Sequence, residues 1–353
     1  MNARRHRTSR FPTALLRAQA VASVVLLPLM GYGAGDHAQG RHGLSAAGHA
    51  LTEAAGSAAV SMRRVSDSVD GAIVLTGLAS RNSGPIRTQS RAGRVAKRLA
   101  HASPADRVRV EAAVAAAGHE QRAFILKAFA AGHSADEVVR FAQMIRGKKP
   151  EWLRTHLSLI DPSGPGRVLY HASPVKQTDD TTCGSVSILM ARAMADPLYT
   201  LYLTTGNSTD PAEAGAAKFQ ARLATEEQRI HDATNRFWPQ KLGSTPPGVS
   251  GELNRHADAL GTRYDSRLVA RARGNPVLRD AVTAAQSGQP VPVLIGDWIP
   301  RHYVLLIGRD GGHLLFYEPT EATLVRVSEQ DFLNGNVGGL GYPLVQAVIT
   351  PSR

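Results

Sequence analysis

The chain has 353 residues and carries 41 Lys and Arg against 29 Asp and Glu, so its formal net charge is +12. Residues 1–100 hold 14 of these cations and only 4 of the acids, whereas the remaining 253 residues are nearly neutral with 27 cations and 25 acids. The basic charge therefore belongs to an amino-terminal arm, and the rest shows no basic stripe of the kind that binds nucleic acid. This length allows roughly two domains with a sizeable core, and a single cysteine excludes an intrachain disulfide.

The first 35 residues have the layout of an export signal. Four arginines at positions 4–10 precede residues 18–35, which run without a charge through an apolar stretch that ends in small residues. This order is typical of a secretory signal peptide, while a single membrane anchor and a cytoplasmic protein with an apolar arm are the alternatives. We expect a secreted or cell-envelope protein, and the basic arm suits contact with an anionic envelope surface.

Residues 36–102 are rich in Gly, Ala, Ser and Arg and have poor periodicity, which favours a flexible basic linker or a prosegment. Residues 103–160 instead predict a helical region. Ser103 followed by a proline is typical of a helix N-terminus, and Ser134 with Glu137 forms a capping box before an apolar face. A small helical domain and a pro-region over a cleft both fit these helices, but we favour packing against the domain that follows.

The sequence around Cys183 carries the strongest chemical signal of the chain. A helical run follows it directly and ends at Pro197, so the thiol is expected at a helix N-terminus. The macrodipole there favours a thiolate, which is the nucleophilic form. Gln177 lies six residues upstream, and its side-chain amide can donate to a developing oxyanion if the loop folds back. A small buried hydrophobic role is the alternative for a lone cysteine.

Downstream of Cys183 the pattern changes from helices to strands. Residues 212–237 predict an exposed helix carrying Glu226 and Glu227, and further helices begin near Ser250 and Pro276. Apolar and β-branched stretches predict strands at 291–296, 302–307, 313–317, 323–327 and 344–349. Helices followed by an antiparallel sheet make an α+β arrangement.

Two of these strands supply the remaining candidate site residues. His302 begins a strand beside a connector, a position that suits a cleft wall and a general base. Glu318 ends the next strand, where its carboxylate can orient an imidazole. His313 is the competing base, and Asp297 and Glu321 are the alternatives for the orienting acid.

These residues together resemble a family. A glutamine six residues before Cys-Gly at the start of a helix, then His-Tyr-Val on one strand and Glu-Pro at the end of the next, is similar to papain-like cysteine peptidases. The pattern is most similar to the compact branch that removes double-glycine leaders from bacteriocins, and to its secreted bacterial relatives. The resemblance covers about residues 167–350. It implies a papain-like fold in which a helical lobe with the nucleophile helix precedes an antiparallel sheet.

The same resemblance implies a role for each site residue. Cys183 is the nucleophile, His302 the base, Glu318 the orienting acid and Gln177 the oxyanion donor. Glu318 departs from the family, which carries Asp or Asn there, so one extra methylene must be accommodated.

The expected function is therefore that of a secreted cysteine peptidase or amidase that cleaves a peptide or isopeptide bond in a peptide or protein substrate, with residues 167–353 as its catalytic domain. Two other classes fit: an acyltransferase or deamidase on the same triad, as in transglutaminase-like and toxin enzymes, and a non-enzymatic envelope-binding module. No metal is expected, because Cys183 has no Cys or His partner at metal-binding spacing, and no cofactor motif occurs. Trp298 lines the substrate cleft, shields the His302 imidazole or packs in the core.

Overall fold

The computed structural model describes residues 85–161, 164–236, 239–270 and 275–352. The predicted export signal and residues 36–84 of the predicted linker lie outside the described residues. The α-helices of the described ranges are α1 (Pro85–His101), α2 (Pro104–Ala115), α3 (His119–Ala130), α4 (Ala135–Ile145), α5 (Pro150–Leu157), α6 (Cys183–Ala195), α7 (Pro197–Thr205), α8 (Ala216–Thr234), α9 (Pro246–Arg255), α10 (Ala257–Leu260), α11 (Pro276–Gln286) and α12 (Glu329–Leu333). Single 3₁₀ turns lie at Pro211–Ala214, Gln240–Leu242 and Gly338–Leu340.

The strands form one large antiparallel sheet and one short hairpin. They are β1 (Gly166–Arg167), β2 (Leu169–Tyr170), β3 (Ser173–Pro174), β4 (Tyr264–Leu268), β5 (Val291–Gly296), β6 (Pro300–Asp310), β7 (His313–Glu318), β8 (Thr323–Ser328) and β9 (Leu344–Pro351). The large sheet has the order β1-β8-β7-β6-β5-β9-β4, and β2 pairs only with β3. The prediction of an α+β arrangement with an antiparallel sheet is thereby confirmed. Strand β4 was missed, since its sequence, Tyr-Asp-Ser-Arg-Leu, is mostly polar and only Tyr264 is fully buried.

Each face of the large sheet is covered by helices. On β6, Tyr303, Leu305 and Ile307 share a buried cluster with α6, whereas the alternate residues Val304 and Leu306 share another with α11. Period-two alternation explains how one strand supplies both clusters. Because α6 begins with Cys183, packing on the first face brings the thiol to the sheet.

Helices α1 to α5 build a separate buried cluster around residues such as Phe124, Phe141 and Leu153. The predicted capping box is present at the start of α4, where the Ser134 side chain accepts from the Glu137 N–H and the Glu137 carboxylate accepts from the Ser134 N–H. The reciprocal bonds satisfy two helix-end donors and fix where α4 begins.

Two sequence predictions are corrected. The flexible linker proposed for residues 36–102 is wrong for its last part, because Pro85–His101 forms α1, on which Val95 is fully buried and Arg98 donates to the His133 carbonyl at 2.8 Å. The helix proposed as exposed over residues 212–237 is amphipathic, since α8 buries Glu226 and Glu227 while Gln228 and Arg229 stay exposed. In the described part of the chain, no helix is both long and apolar enough to span a membrane.

Candidate active site

Cys183 is the first residue of α6 and lies against strand β6. Its side chain is 4% exposed, and the Tyr303 backbone N–H donates to its Sγ at 3.4 Å. The next residue must be glycine-sized, because a Cβ on Gly184 would lie 3.0 Å from Ser244 Cβ and 3.2 Å from the Tyr303 ring. No side chain caps the N-terminus of α6, so its first N–H groups face the thiol end of the helix without a side-chain acceptor. The Cys-Gly pair therefore serves close packing of the helix on the sheet.

The register of β6 and β7 brings His302 next to Glu318. Leu305 pairs with Tyr317, so the start of β6, which carries His302, lies beside the end of β7, which carries Glu318. His302 Nε2 and Glu318 Oε1 are 2.7 Å apart. The longer Glu318 side chain is therefore accommodated in contact with the imidazole.

The second ring nitrogen of His302 is left for the thiol. Cys183 is one of the groups that raise the pKa of the ring, so the two side chains lie close together, and because Nε2 is occupied by Glu318, Nδ1 is the nitrogen left for Sγ. Glu318 is itself held by the backbone N–H groups of Thr320 and Glu321, at 2.9 and 2.8 Å. The structure thus brings three of the four predicted site residues together in one row.

The protonation of this row follows from its contacts. Burial lowers the pKa of His302, but the hydrogen bonds to Cys183 and Glu318 outweigh it and raise the pKa to about 9. Burial raises the pKa of Glu318, but the bond from His302 and the backbone donors hold it at about 2. At neutral pH the pair is therefore an imidazolium and a carboxylate. A protonated imidazole beside sulfur is the environment that favours a reactive thiolate.

Gln177 lies in the loop before α6 and is 8% exposed. Its backbone N–H donates at 2.9 Å to the carbonyl of Pro319, the residue after Glu318. Its side-chain Oε1 is buried and has no hydrogen-bond partner among the described residues. The loop that carries Gln177 is thus bound to the strand end that carries the acid, and no described donor reaches its side-chain oxygen.

Glu227 is a residue of this region that sequence reasoning missed. It lies on α8, is fully buried, and its Oε1 accepts from the Thr178 backbone N–H at 2.8 Å. Burial raises its pKa, against hydrogen bonds from Thr182 and Thr178 that lower it. The Glu227 carboxyl group therefore fixes the loop between Gln177 and Cys183 by accepting a hydrogen bond from its backbone. Helical spacing could have found it, since positions 219, 223, 227 and 230 share one face of a helix and three of them are apolar.

The alternatives for the site roles lie elsewhere. His313 is exposed at the opposite end of β7 from Glu318, about 17 Å along the strand. Asp297 instead approaches Arg301 at 3.5 Å and accepts from the Ile299 N–H at 3.1 Å, and Glu321 is exposed with only its backbone reaching Glu318. Among the described residues, His302 has no ring contact with His313, Asp297 or Glu321.

Trp298 is 81% exposed on the turn between β5 and β6, so of the three placements considered for it, packing in the core is excluded. Ile299 beside it is 52% exposed. The ring near His302 is instead Tyr342, at 6.3 Å between centroids. Two large apolar side chains therefore stand in solvent three and four residues before the imidazole.

In the part of the chain that the structure describes, no three His, Cys, Asp or Glu side chains are grouped so as to hold a metal ion. Comparison with known proteins adds no relative, because no protein-family model and no curated protein matches the chain.

Proposed function

We propose that the protein is a thiol hydrolase of papain-like fold that cleaves a peptide or isopeptide bond. The observation that carries the proposal is the row Cys183, His302, Glu318, in which a thiol at a helix N-terminus lies close to an imidazole whose far nitrogen is bound to a partly buried carboxylate. Nucleophile, base and orienting acid in mutual hydrogen-bond contact are the recognised elements of nucleophilic acyl transfer. The papain-like assignment rests on the family resemblance together with this geometry.

In the proposed reaction the Cys183 thiolate attacks the carbonyl carbon of the substrate. His302, which has taken the thiol proton on Nδ1, delivers it to the leaving amine as the carbon–nitrogen bond breaks, and a thioester to Cys183 remains. Water then attacks the thioester, His302 removes its proton, and the acid is released as the thiolate reforms. Glu318 holds the ring through Nε2 and stabilises the imidazolium in both steps.

The negative oxygen formed in each step needs donors close to Sγ. The uncapped N-terminus of α6 offers the Cys183 N–H, and the Gln177 amide is the proposed side-chain donor. Glu227 positions that donor by fixing the Thr178 backbone. We assign the exposed Trp298 and Ile299 to the substrate side of the site, where they would contact apolar substrate side chains.

The test exploits the single cysteine. The full chain is labelled with iodoacetamide between pH 5 and 9, with glutathione as the reference thiol and Cys183→Ala as the blank. We expect labelling at pH 5 to exceed that of glutathione, because an imidazolium at His302 stabilises the thiolate. In His302→Ala the labelling should move to alkaline pH. A wild-type rate that follows glutathione at every pH would instead indicate a non-enzymatic module.

The competing acyltransferase and deamidase reactions use the same acyl enzyme. They are separated by the acceptor: a library of peptide amides is incubated with and without a primary amine such as cadaverine. Free carboxylate or cleaved peptide as the main product supports hydrolysis, and amine-linked product as the main one contradicts it. We also propose secretion, on the basis of the amino-terminal pattern. The full chain is expressed in culture, and recovery from the medium of a chain that has lost residues 1–35 would support it.

A further inference from the structure

A groove of about 340 Å³ lies between α4 and α5 on one side and the chain that follows α7 on the other. Its lining includes the half-buried Lys148 and Trp152, the exposed His171 and the buried His156. The hydroxyl side chains of the lining are Thr205, Ser208 and Thr209. None of these residues belongs to the proposed catalytic set.

His156 presents a bare ring nitrogen to this groove. Its Nδ1 is 3.2 Å from the Tyr170 hydroxyl, which also lies 2.8 Å from the Ala214 carbonyl oxygen and 3.0 Å from that of Thr204. A phenol has one proton, which these carbonyl oxygens accept, so Tyr170 must accept in turn from an Nδ1–H of His156. The neutral ring then has no proton on Nε2, and no described residue bonds to that nitrogen. Only 4% of His156 is exposed.

The charges that act on His156 are positive. Burial lowers its pKa most, His171 and Lys148 lower it further, and the result is about 4. The Lys148 ammonium stands 4.9 Å from the Trp152 ring and forms no ion pair with a described acid. Asp210 is the acid of the lining, and its carboxylate caps the turn at the Ala212 N–H. The groove therefore combines a cation without a counter-charge and a buried acceptor.

The backbone conformation at His171 is a second unusual feature of the groove. His171 and Ala172 form the two-residue turn between β2 and β3 with φ of +46° and +66°. Turns of this kind favour Asn-Gly, so the backbone of a non-glycine residue there is strained. The imidazole held at this strained position contacts Tyr170 at 4.5 Å and lies 6.0 Å from His156, between centroids. The turn thus places a titratable ring at the groove, although Asn or Gly would fit its backbone conformation better than His.

We propose that this groove binds a phosphate group, as inorganic phosphate or as a small phosphomonoester. Lys148 and His171 supply positive charge, the Ser208 and Thr209 hydroxyl groups donate to phosphate oxygens, and the hydroxyl of a phosphate monoanion donates to His156 Nε2. When that proton is transferred, the bound monoanion becomes a dianion, His156 becomes an imidazolium, and Nε2–H is then the donor. Phosphate fits better than a carboxylate, because the phosphate monoanion still carries a proton that it can give to the bare nitrogen, whereas a carboxylate ion carries none.

The test follows the His156 ring directly. The full chain, with ¹⁵N-labelled histidine, is titrated with sodium phosphate at pH 6.5 while sodium chloride holds the ionic strength constant, and His156→Asn identifies the signal. We expect a saturable shift from the Nδ1–H form toward imidazolium, with half-saturation below about 1 mM, equivalent to about 4 kcal/mol. Phenyl phosphate as a second probe separates the sources: tighter binding indicates a phosphomonoester, weaker binding indicates free phosphate.

Two lysine variants make the test specific. Lys148→Ala should weaken phosphate binding about tenfold, which is the loss of about 1.4 kcal/mol. Lys97→Ala removes an exposed lysine of α1 outside the groove lining and should leave the binding curve unchanged. A His156 shift that fails to saturate, that sodium chloride alone reproduces, or that persists unchanged in Lys148→Ala would overturn the proposal.

Discussion

The molecule holds two buried histidines whose surroundings are opposite. His302 in the candidate active site and His156 in the groove are 8% and 4% exposed, so both lose contact with water to a similar degree. The pKa of His302 nevertheless rises to about 9, whereas that of His156 falls to about 4. Burial lowers both, and the difference lies in the partners: a carboxylate and a thiol for His302, a lysine and a second imidazole for His156.

Two glutamates repeat the contrast with the signs reversed. Glu318, beside an imidazole and two backbone donors, has a pKa of about 2, whereas burial raises the pKa of Glu227, which has no cationic partner close to it in the described contacts. A partner within hydrogen-bond distance thus decides the direction for His302 and Glu318, whereas burial decides it for His156 and Glu227. The comparisons of the two histidines and of the two glutamates predict which substitutions reduce catalysis and which mainly reduce stability.

The largest effect is expected at His302. His302→Ala should lower the turnover of an activated ester or peptide substrate by about 10³-fold, because general acid–base catalysis contributes about 10²–10⁴-fold. The matched control is His313→Ala, which removes an exposed histidine at the other end of the neighbouring strand. Full turnover without His302 would contradict the triad as drawn.

The next effect concerns the partner that raises the His302 pKa. Glu318→Gln keeps a side chain of the same length but removes the negative charge, so the pKa of His302 should fall by about 1–2 units. Activity requires the imidazolium for the leaving amine, and the alkaline limb of the pH–rate profile, expected near pH 9 in the wild type, should move down by the same amount. Turnover at the optimum should fall about 10- to 100-fold. An unmoved alkaline limb would show that Glu318 does not set the charge of the ring.

A smaller effect is expected at Glu227, the carboxyl without a cation. Glu227→Gln retains an acceptor for the Thr178 N–H and should change kcat by less than about threefold. Glu227→Ala leaves that donor buried and unpaired, at a cost of about 1–3 kcal/mol, and should lower kcat about tenfold with little change in KM. A purely structural role would instead lower thermal stability in Glu227→Ala without changing kcat, and the two are measured on the same samples.

The chemistry at the active-site end of the sheet was predictable because each part of it leaves a local signal. A lone cysteine before a helical run, a histidine opening an apolar strand and an acid closing the next one can all be recognised in isolation, and antiparallel register then places His302 beside Glu318. The roles assigned to them remain predictions. The sequence does not show that the Glu318 carboxylate contacts the His302 ring, because this contact depends on which residues of β6 and β7 face each other.

The groove and the buried Glu227 were missed for a different reason. Glu226 and Glu227 look like a solvated helix face, because charge is the stronger sequence signal and burial depends on the distant Gln177 loop. His156 and His171 are fifteen residues apart and meet only because the β2–β3 turn adopts a left-handed backbone that neither His nor Ala favours. Sites assembled from such contacts leave no periodic pattern to find.

The last effect concerns stability rather than turnover, and it sharpens the contrast between the two histidines. The pKa of His156 is lower in the folded state than the ordinary 6.5, so its contribution is fully present above pH 6.5 and is lost as pH falls toward about 4. The contribution of His302 has the opposite sign, being present below pH 6.5 and lost as pH rises through about 9. His156→Asn keeps an N–H donor for Tyr170 but cannot titrate, so the acid loss of stability should shrink by about 2–3 kcal/mol while the alkaline side stays unchanged. Urea unfolding at pH 4, 5.5, 7 and 9 measures both sides, with His313→Asn as the variant that removes an exposed ring. Equal acid losses in wild type and His156→Asn would mean that the buried imidazole is not held neutral by its cationic neighbours.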